Sequence, residues 1–241
     1  MAPRFHATPL EAVAETTVET VFIDDYRFRI RRPIDSEKLF DHPWLRSAYA
    51  ADEFIPYWAT LWPASRMLAK VVVRERWESY AQPVEVLEVG CGLGLGGVAC
   101  LARGLRVDFS DVDETALGFA ADNARLNGFE TFRTLPLDFR CPPDDRRYPV
   151  VIGSDLMYEE RLVAPLVGLL DTVLAPGGVC LIADPDRLAA RVFKWRLQEA
   201  GFEVVTELIR AGEPGGERTK GTLYRIQRPE PESARPSPRQ E

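Results

Sequence analysis

Histidine is nearly absent from this chain, with two residues, His6 and His42, among 241, and both stand near the N-terminus. Ser-His-Asp and Cys-His catalysis are thereby removed from the body of the sequence, unless an N-terminal histidine folds back to a distant cleft. The four cysteines, Cys91, Cys100, Cys141 and Cys180, show no C-x-x-C spacing, so no structural zinc site and no other metal site is expected. No apolar run approaches the roughly 18 to 20 residues of a membrane helix, and the start MAPRFHATPLEAVAE has no apolar segment of signal-peptide length. A cytoplasmic, membrane-free protein is expected. An excess of basic charge is also missing: Lys+Arg 30 against Asp+Glu 37 gives a net charge of -7, which disfavours capture of nucleic acid.

What remains is an ordinary globular composition, with 46% hydrophobic and 28% charged residues. Thr17 to Ile23 and Tyr26 to Arg32 alternate apolar and polar residues around Asp24-Asp25, which predicts an antiparallel hairpin, a small ornament on the N-terminal side. Asp35 to Ala51 reads as short, broken helix. After Pro63 the apolar Met67, Leu68, Val71 and Val72 fall at helical spacing, with proline in a tolerated first-turn position.

From Val84 onward short apolar runs alternate with helical patterns, which predicts an α/β fold with a parallel sheet covered by helices on both faces. A helix from about Glu160 to Leu174 stops at APGG. The strand VCLIAD and a helix near Leu188 to Ala200 follow, and FEVVTELI and TLYRI close the chain as an antiparallel pair. The boundaries expected are an N-terminal extension over 1–52, a main domain over 53–228, and a Pro-rich, charged, disordered tail over 229–241. No internal repeat is evident.

Val86 to Leu101, VLEVGCGLGLGGVACL, reads as a buried strand entering a glycine-rich turn and then a helix, the arrangement that lets backbone amides approach a ligand. Two ligands compete for it. Gly92, Gly94 and Gly97 fit G-x-G-x-x-G, the dinucleotide pattern, while Glu88, Gly90, Gly92 and Gly94 fit E-x-G-x-G-x-G, the pattern that binds S-adenosylmethionine (SAM). Glu88 near the strand's end attracts a cationic methionine moiety and repels a pyrophosphate, which favours SAM. Asp111 closes the next strand, where a carboxylate accepts hydrogen bonds from ribose hydroxyls in either case. Asp138 and Phe139 are placed to meet an adenine amino group and ring face. Cys91 inside the turn reads as a small packing residue whose backbone matters.

These residues resemble the class I, seven-β-strand SAM-dependent methyltransferases over about Val84 to Gln227. More narrowly, PYWATLWP, EVGCGLGLGG, SDVDETAL, ADNARLNG, LDFR and VIGSDLMYEE are similar to methyltransferase family 16, which includes protein-lysine methyltransferases. The resemblance implies a Rossmann-like, seven-stranded, mostly parallel sheet with an antiparallel C-terminal strand. It also implies that Trp62 packs on the cofactor, that Gly90, Cys91 and Gly92 hold its methionine end, that Asp111 binds ribose, and that Asp138, Phe139 and Ser154 frame adenine. Asp155 and Tyr158 of the D-x-x-Y motif would line the methyl-acceptor site. Phe139 stands where many relatives carry tryptophan, which keeps a ring face and removes an indole donor.

Methyl transfer from a sulfonium is an in-line displacement that needs a neutral nucleophile, so positioning supplies much of the acceleration. A lysine amine with pKa ≈ 10.4 costs about 4 to 5 kcal/mol to deprotonate at pH 7. Asp155, at the end of a central strand, is suited to orient the ammonium and pass its proton to water, and Tyr158 to accept a hydrogen bond from the amine or stack on its stem. Tyr57, Trp58 and Trp62 supply aromatic faces for a cation or for core packing. The leading expectation is a monomeric SAM-dependent N-methyltransferase acting on a lysine of a protein substrate. A small-molecule amine methyltransferase, nicotinamide-like acceptors included, and a catalytically silent SAM-binding subunit are the alternatives.

Overall fold

The computed structural model describes residues 3–142, 146–212 and 218–229. The expected tail falls almost wholly outside them, as does the middle of the loop expected between the last two strands. Strands β1 (Thr16–Ile23) and β2 (Tyr26–Pro33) form the predicted hairpin, with Ile23 opposite Tyr26 across the Asp24-Asp25 turn. Alternation decides its faces: Val21, Ile23, Phe28 and Ile30 are buried, while Phe22, Arg27 and Arg29 between them face solvent.

This hairpin is no ornament, because its apolar face belongs to the same core cluster as Leu68, Val72 and Val98. Its β2 edge is covered by two asparagine amides. Asn123 exchanges hydrogen bonds with the Arg31 peptide at 2.6 and 3.0 Å, and Asn127 with the Arg29 peptide at 2.9 and 2.8 Å. Four residues of helix rise about 6 Å and two residues of strand about 6.8 Å, so asparagines spaced i, i+4 meet alternate peptides of one strand edge. The pairing satisfies strand groups that would otherwise present an open edge.

The broken helical segment is α1 (Lys38–Asp41) and α2 (Pro43–Asp52), followed by α3 (Pro63–Arg74), which opens on Pro63 as predicted. The alternation then runs β3 (Glu85–Val89), α4 (Leu95–Ala102), β4 (Arg106–Asp111), α5 (Glu114–Leu126), β5 (Arg133–Pro136), β6 (Tyr148–Ser154), α6 (Val163–Val173), β7 (Leu174–Asp184), α7 (Ala190–Glu199), β8 (Glu203–Gly212) and β9 (Arg218–Gln227). Among the described residues seven strands form one sheet in the order β5-β4-β3-β6-β7-β9-β8, in which β9 runs antiparallel to both β7 and β8 while the other pairs are parallel. The APGG segment is a register irregularity within β7 rather than a turn before it, since Leu174 already pairs with Tyr148 and the ladder resumes at Val150 with Val179.

Period two splits the sheet's side chains between two cores. Val86, Val107, Phe109, Val150 and Ile152 pack with α3, α4, α5 and the hairpin, while Leu87, Val89, Val151 and Ile182 pack with α6 and α7. Helix α4 lies close on the first face because its own residues are small. A Cβ at Gly97 would stand 2.3 Å from Phe109 Cε1 and 2.7 Å from Glu88 Oε2, an overlap that forces strain of about 1 to 3 kcal/mol. From β3 the chain steps to β4 and β5 on one side and later to β6 and β7 on the other. That reversal opens a crevice at the carboxyl ends of β3 and β6.

Candidate active site

A cavity of about 220 Å³ occupies this crevice, room for a ligand far larger than one or two waters. One wall is the turn after β3. Gly90 and Gly92 take φ of 59° and 51°, values reached cheaply only by glycine, and a Cβ at Gly90 would meet Leu156 Cδ2 at 2.6 Å. The turn is laced to β4: Cys91 N donates to Ser110 O at 2.9 Å and Gly92 N to Asp111 Oδ2 at 2.9 Å. Asp111 Oδ1 accepts from Asp113 N at 3.1 Å. Burial pushes the Asp111 carboxyl up to about 6 even though these amides pull it down. Phe139 and Ser154 line the same cavity, beyond β5 and at the end of β6.

Three predicted residues do not line it. Gly94 sits behind the turn at the start of α4. Glu88 shares its face of β3 with Val86, so its buried carboxylate points at α4 and accepts the Gly97 N–H at 3.0 Å. Burial raises Glu88 to about 8, with the Asp111 charge adding to it and the Gly97 amide opposing. Its carboxylate holds a helix terminus rather than facing the cavity. Asp138 is likewise engaged: its oxygens take Arg140 Nε at 2.8 Å, Arg140 Nη2 at 2.9 Å and Arg4 N at 3.1 Å. Burial alone would raise the Asp138 carboxyl, but the Arg140 guanidinium outweighs it and holds it below the usual range.

The other end of the cavity is built from side chains. Asp155 takes φ of 55°, unusual outside glycine though tolerated by aspartate, and its N–H is fixed on Ala183 O at 2.9 Å. The aromatic rings form an arc: Tyr57 lies edge-on to Trp62 at 6.1 Å and to Tyr158 at 5.0 Å between centroids. Trp62 Nε1 donates to Tyr57 O at 2.8 Å, which locks the two residues together. Desolvation by its neighbours, together with the charges of Asp111 and Glu159, holds the Tyr158 phenol above its ordinary range although part of the residue's surface stays exposed. Trp58 lines the cavity while its ring packs on Phe119 and its Nε1 donates to Asp113 Oδ2 at 3.0 Å, so it takes part in core packing as well as in the wall.

Two further contributors carried no recognised signal. Arg187, on the segment between β7 and α7, lines the cavity and holds both Asp155 oxygens, at 2.8 and 2.9 Å. A charged residue just past a strand end beside β6 is the cue that marks it. The patternless N-terminus also folds back. His6 N donates to Val112 O at 2.9 Å, Glu114 N donates to His6 O at 2.9 Å, and the imidazole stacks at 3.9 Å on Phe54, a cavity residue. Arg140 then bridges Asp138 to Asp52 at 2.8 Å through both Asp52 oxygens, and the guanidinium holds Asp52 below the usual carboxylate range. His6 supports the cavity wall from behind and does not enter it.

Among solved structures, the N-methyltransferase NodS from Bradyrhizobium japonicum WM9, in complex with S-adenosyl-L-homocysteine, aligns with a TM-score of 0.56 at 19% identity, over 70% of this chain and 89% of that one. At that identity the likeness speaks for the fold. The electron transfer flavoprotein beta subunit lysine methyltransferase of Danio rerio is 28% identical over 134 residues, 55% of this chain and 51% of that protein. The ribosomal protein L11 methyltransferase of Caulobacter sp. (strain K31) is 29% identical over 132 residues, 52% of this chain and 44% of that protein. The chain thus spans about half the length of these curated relatives. Residues 57–198, more than half of the 241, match the family model described as lysine methyltransferase, and they include both the glycine turn and the D-x-x-Y segment. The chain therefore belongs to the lysine methyltransferase family, whose cofactor is S-adenosylmethionine.

Proposed function

We propose that this protein transfers a methyl group from SAM to the side-chain amine of a lysine on another protein. The observation that carries this reading is the sharing of one cavity by two unlike walls. The Gly90–Gly92 turn with Asp111 forms one, and Asp155 with the Tyr57, Trp62 and Tyr158 arc forms the other. The first suits the cofactor: a turn without side chains leaves room for its methionine end, Asp111 accepts from ribose hydroxyls, and Phe139 and Ser154 face the adenine. Trp62, at the junction of the walls, packs on the cofactor and the acceptor stem. When bound, SAM supplies an electrophilic methyl group on a sulfonium.

The chain's own residues then prepare the acceptor. The aromatic arc covers the alkyl stem of the lysine and excludes water, which lowers the cost of losing the ammonium charge. Asp155 accepts an N–H and so aims the nitrogen lone pair, and the neutral Tyr158 hydroxyl offers a second contact. Tyr158 keeps 40% of its surface exposed and the Arg187 side chain 38%, so the acceptor wall opens to solvent, as a side chain presented by a folded protein requires. The two named relatives agree with a protein acceptor, since one is named for electron transfer flavoprotein beta subunit and the other for ribosomal protein L11.

The test is incubation of the purified chain with methyl-labelled SAM and cell lysate. Label is expected in a protein band, and as methyl-lysine after hydrolysis. Label confined to the small-molecule fraction would replace the lysine reading with a small amine acceptor.

A further inference from the structure

The acid on the acceptor wall already has a partner. Arg187 presents Nε to Asp155 Oδ1 at 2.8 Å and Nη2 to Oδ2 at 2.9 Å, a two-pronged fit, with 7% of the Asp155 side chain exposed and 38% of the arginine's. The arginine is itself held in place. Its backbone N–H donates to Asp184 Oδ1 at 2.8 Å, and its guanidinium carbon lies 5.8 Å from the Trp62 ring centre. Among the described residues that line the cavity, Arg187 is the one cation.

An unpaired carboxylate here would work against methyl transfer. An opposite charge within about 4 to 6 Å stabilises an ammonium by roughly 1 to 3 pKa units, so a lone Asp155 would hold a lysine in its protonated, unreactive form. Pairing with a guanidinium cancels that field. It also leaves lone pairs on both oxygens free to accept an N–H, because a carboxylate offers about four acceptor sites and the fork takes two.

We propose that Arg187 is a positioning residue that neutralises Asp155, so that the acceptor lysine is held through a hydrogen bond as the free amine and not trapped as its ammonium. This rests on the lysine reading above. The groups facing the pair are few. From the last residue of β7 comes Asp184, fully buried, and from just beyond the strand Asp186; from beyond β6 come Glu159, whose carboxylate is held by Arg161, and the Tyr158 phenol; from the segment before α3 comes Tyr57. Asp111 faces from the cofactor wall. None of these supplies a second cation on the cavity wall.

The test needs no identified substrate. In sinefungin a carbon bearing an amine replaces the methylated sulfonium, so its ammonium probes the charge where the methyl group is delivered, while S-adenosylhomocysteine carries neither group. Calorimetry of both ligands on the full chain near pH 7 gives a ratio of affinities. In Arg187→Gln sinefungin is expected to tighten about tenfold relative to S-adenosylhomocysteine, because its ammonium takes the vacated place beside Asp155. Arg187→Lys keeps the charge and is expected to keep the wild-type ratio. The gain is expected to vanish in the Asp155→Asn, Arg187→Gln double variant. An unchanged ratio in Arg187→Gln, a gain that survives in the double variant, or an equal weakening of both ligands as from a purely structural role overturns the proposal. Failure of the wild-type chain to bind S-adenosylhomocysteine would instead remove the cofactor reading, and this inference with it.

Discussion

The two ends of the cavity are built by different means. At the end proposed for the cofactor the shape is backbone: Gly90 and Gly92 in left-handed conformations, and amides of Cys91 and Gly92 tied to Ser110 and Asp111 of the adjoining strand. At the end proposed for the acceptor the shape is side chain: the rings of Tyr57, Trp62 and Tyr158 and the Asp155–Arg187 fork, gathered from three separate stretches of sequence. A backbone wall tolerates no added side chain and fixes one ligand. A side-chain wall is altered one residue at a time, so acceptor choice can change while the cofactor site stays as it is.

Gly92→Arg breaks the backbone wall and carries the largest expected effect. The new side chain starts at φ of 51°, with its Cβ 3.5 Å from the Trp58 backbone, and extends across the turn. No cofactor binding by calorimetry and no turnover are expected in a protein that still folds. Normal affinity would show that the turn does not hold the cofactor. Asp155→Ala breaks the other wall and is expected to spare it: affinity for S-adenosylhomocysteine, whose sulfur carries no charge for the unpaired Arg187 to repel, stays near wild type, while turnover falls about 100-fold or more from lost orientation. Equal loss of binding and turnover would mean that the two walls do not act separately.

The same division governs how much could be read from sequence. Hairpin alternation, the β/α repeat and the glycine turn are local patterns; the hairpin and the elements from β3 to β6 lie within about two residues of expectation, while β7, β8 and β9 run three to five residues longer than expected. For Glu88 a position near a strand end does not by itself say which face the side chain takes; its parity does. Period two puts it on the Val86 face, toward α4 and away from the cavity. Asp138 had a local clue in Arg140, two residues on, which takes both of its oxygens. Arg187 and His6 had none of comparable strength, because their partners Asp155 and Phe54 lie far away in sequence and are brought near by strand order and by the folded-back N-terminus. The Asn123 and Asn127 pair is legible only once the β2 edge is known to lie beside α5.

The smallest expected effect sharpens the comparison through the buried acid behind the backbone wall. Glu88 is raised to about 8, and in the unfolded chain it titrates near 4.5. Between those values the folded protein keeps a proton that the unfolded chain has released, so stability is greatest below about 4.5 and is lost as pH rises through about 8. Asp111 and Asp184, raised to about 6, add the same sign at lower pH. Asp52 and Asp138, held low, act below the ordinary carboxylate range and leave this window flat. From pH 6 to 8 Glu88 therefore dominates, and the unfolding free energy in denaturant titrations is expected to fall by about 1.4 kcal/mol per pH unit. Glu88→Gln removes the proton and should flatten that slope, while its side-chain oxygen still accepts the Gly97 amide. A slope unchanged by the substitution would mean that Glu88 is ionised in the folded state. Its carboxylate would then carry charge behind the cofactor turn, and that wall would owe part of its affinity for a cationic methionine end to a side chain after all.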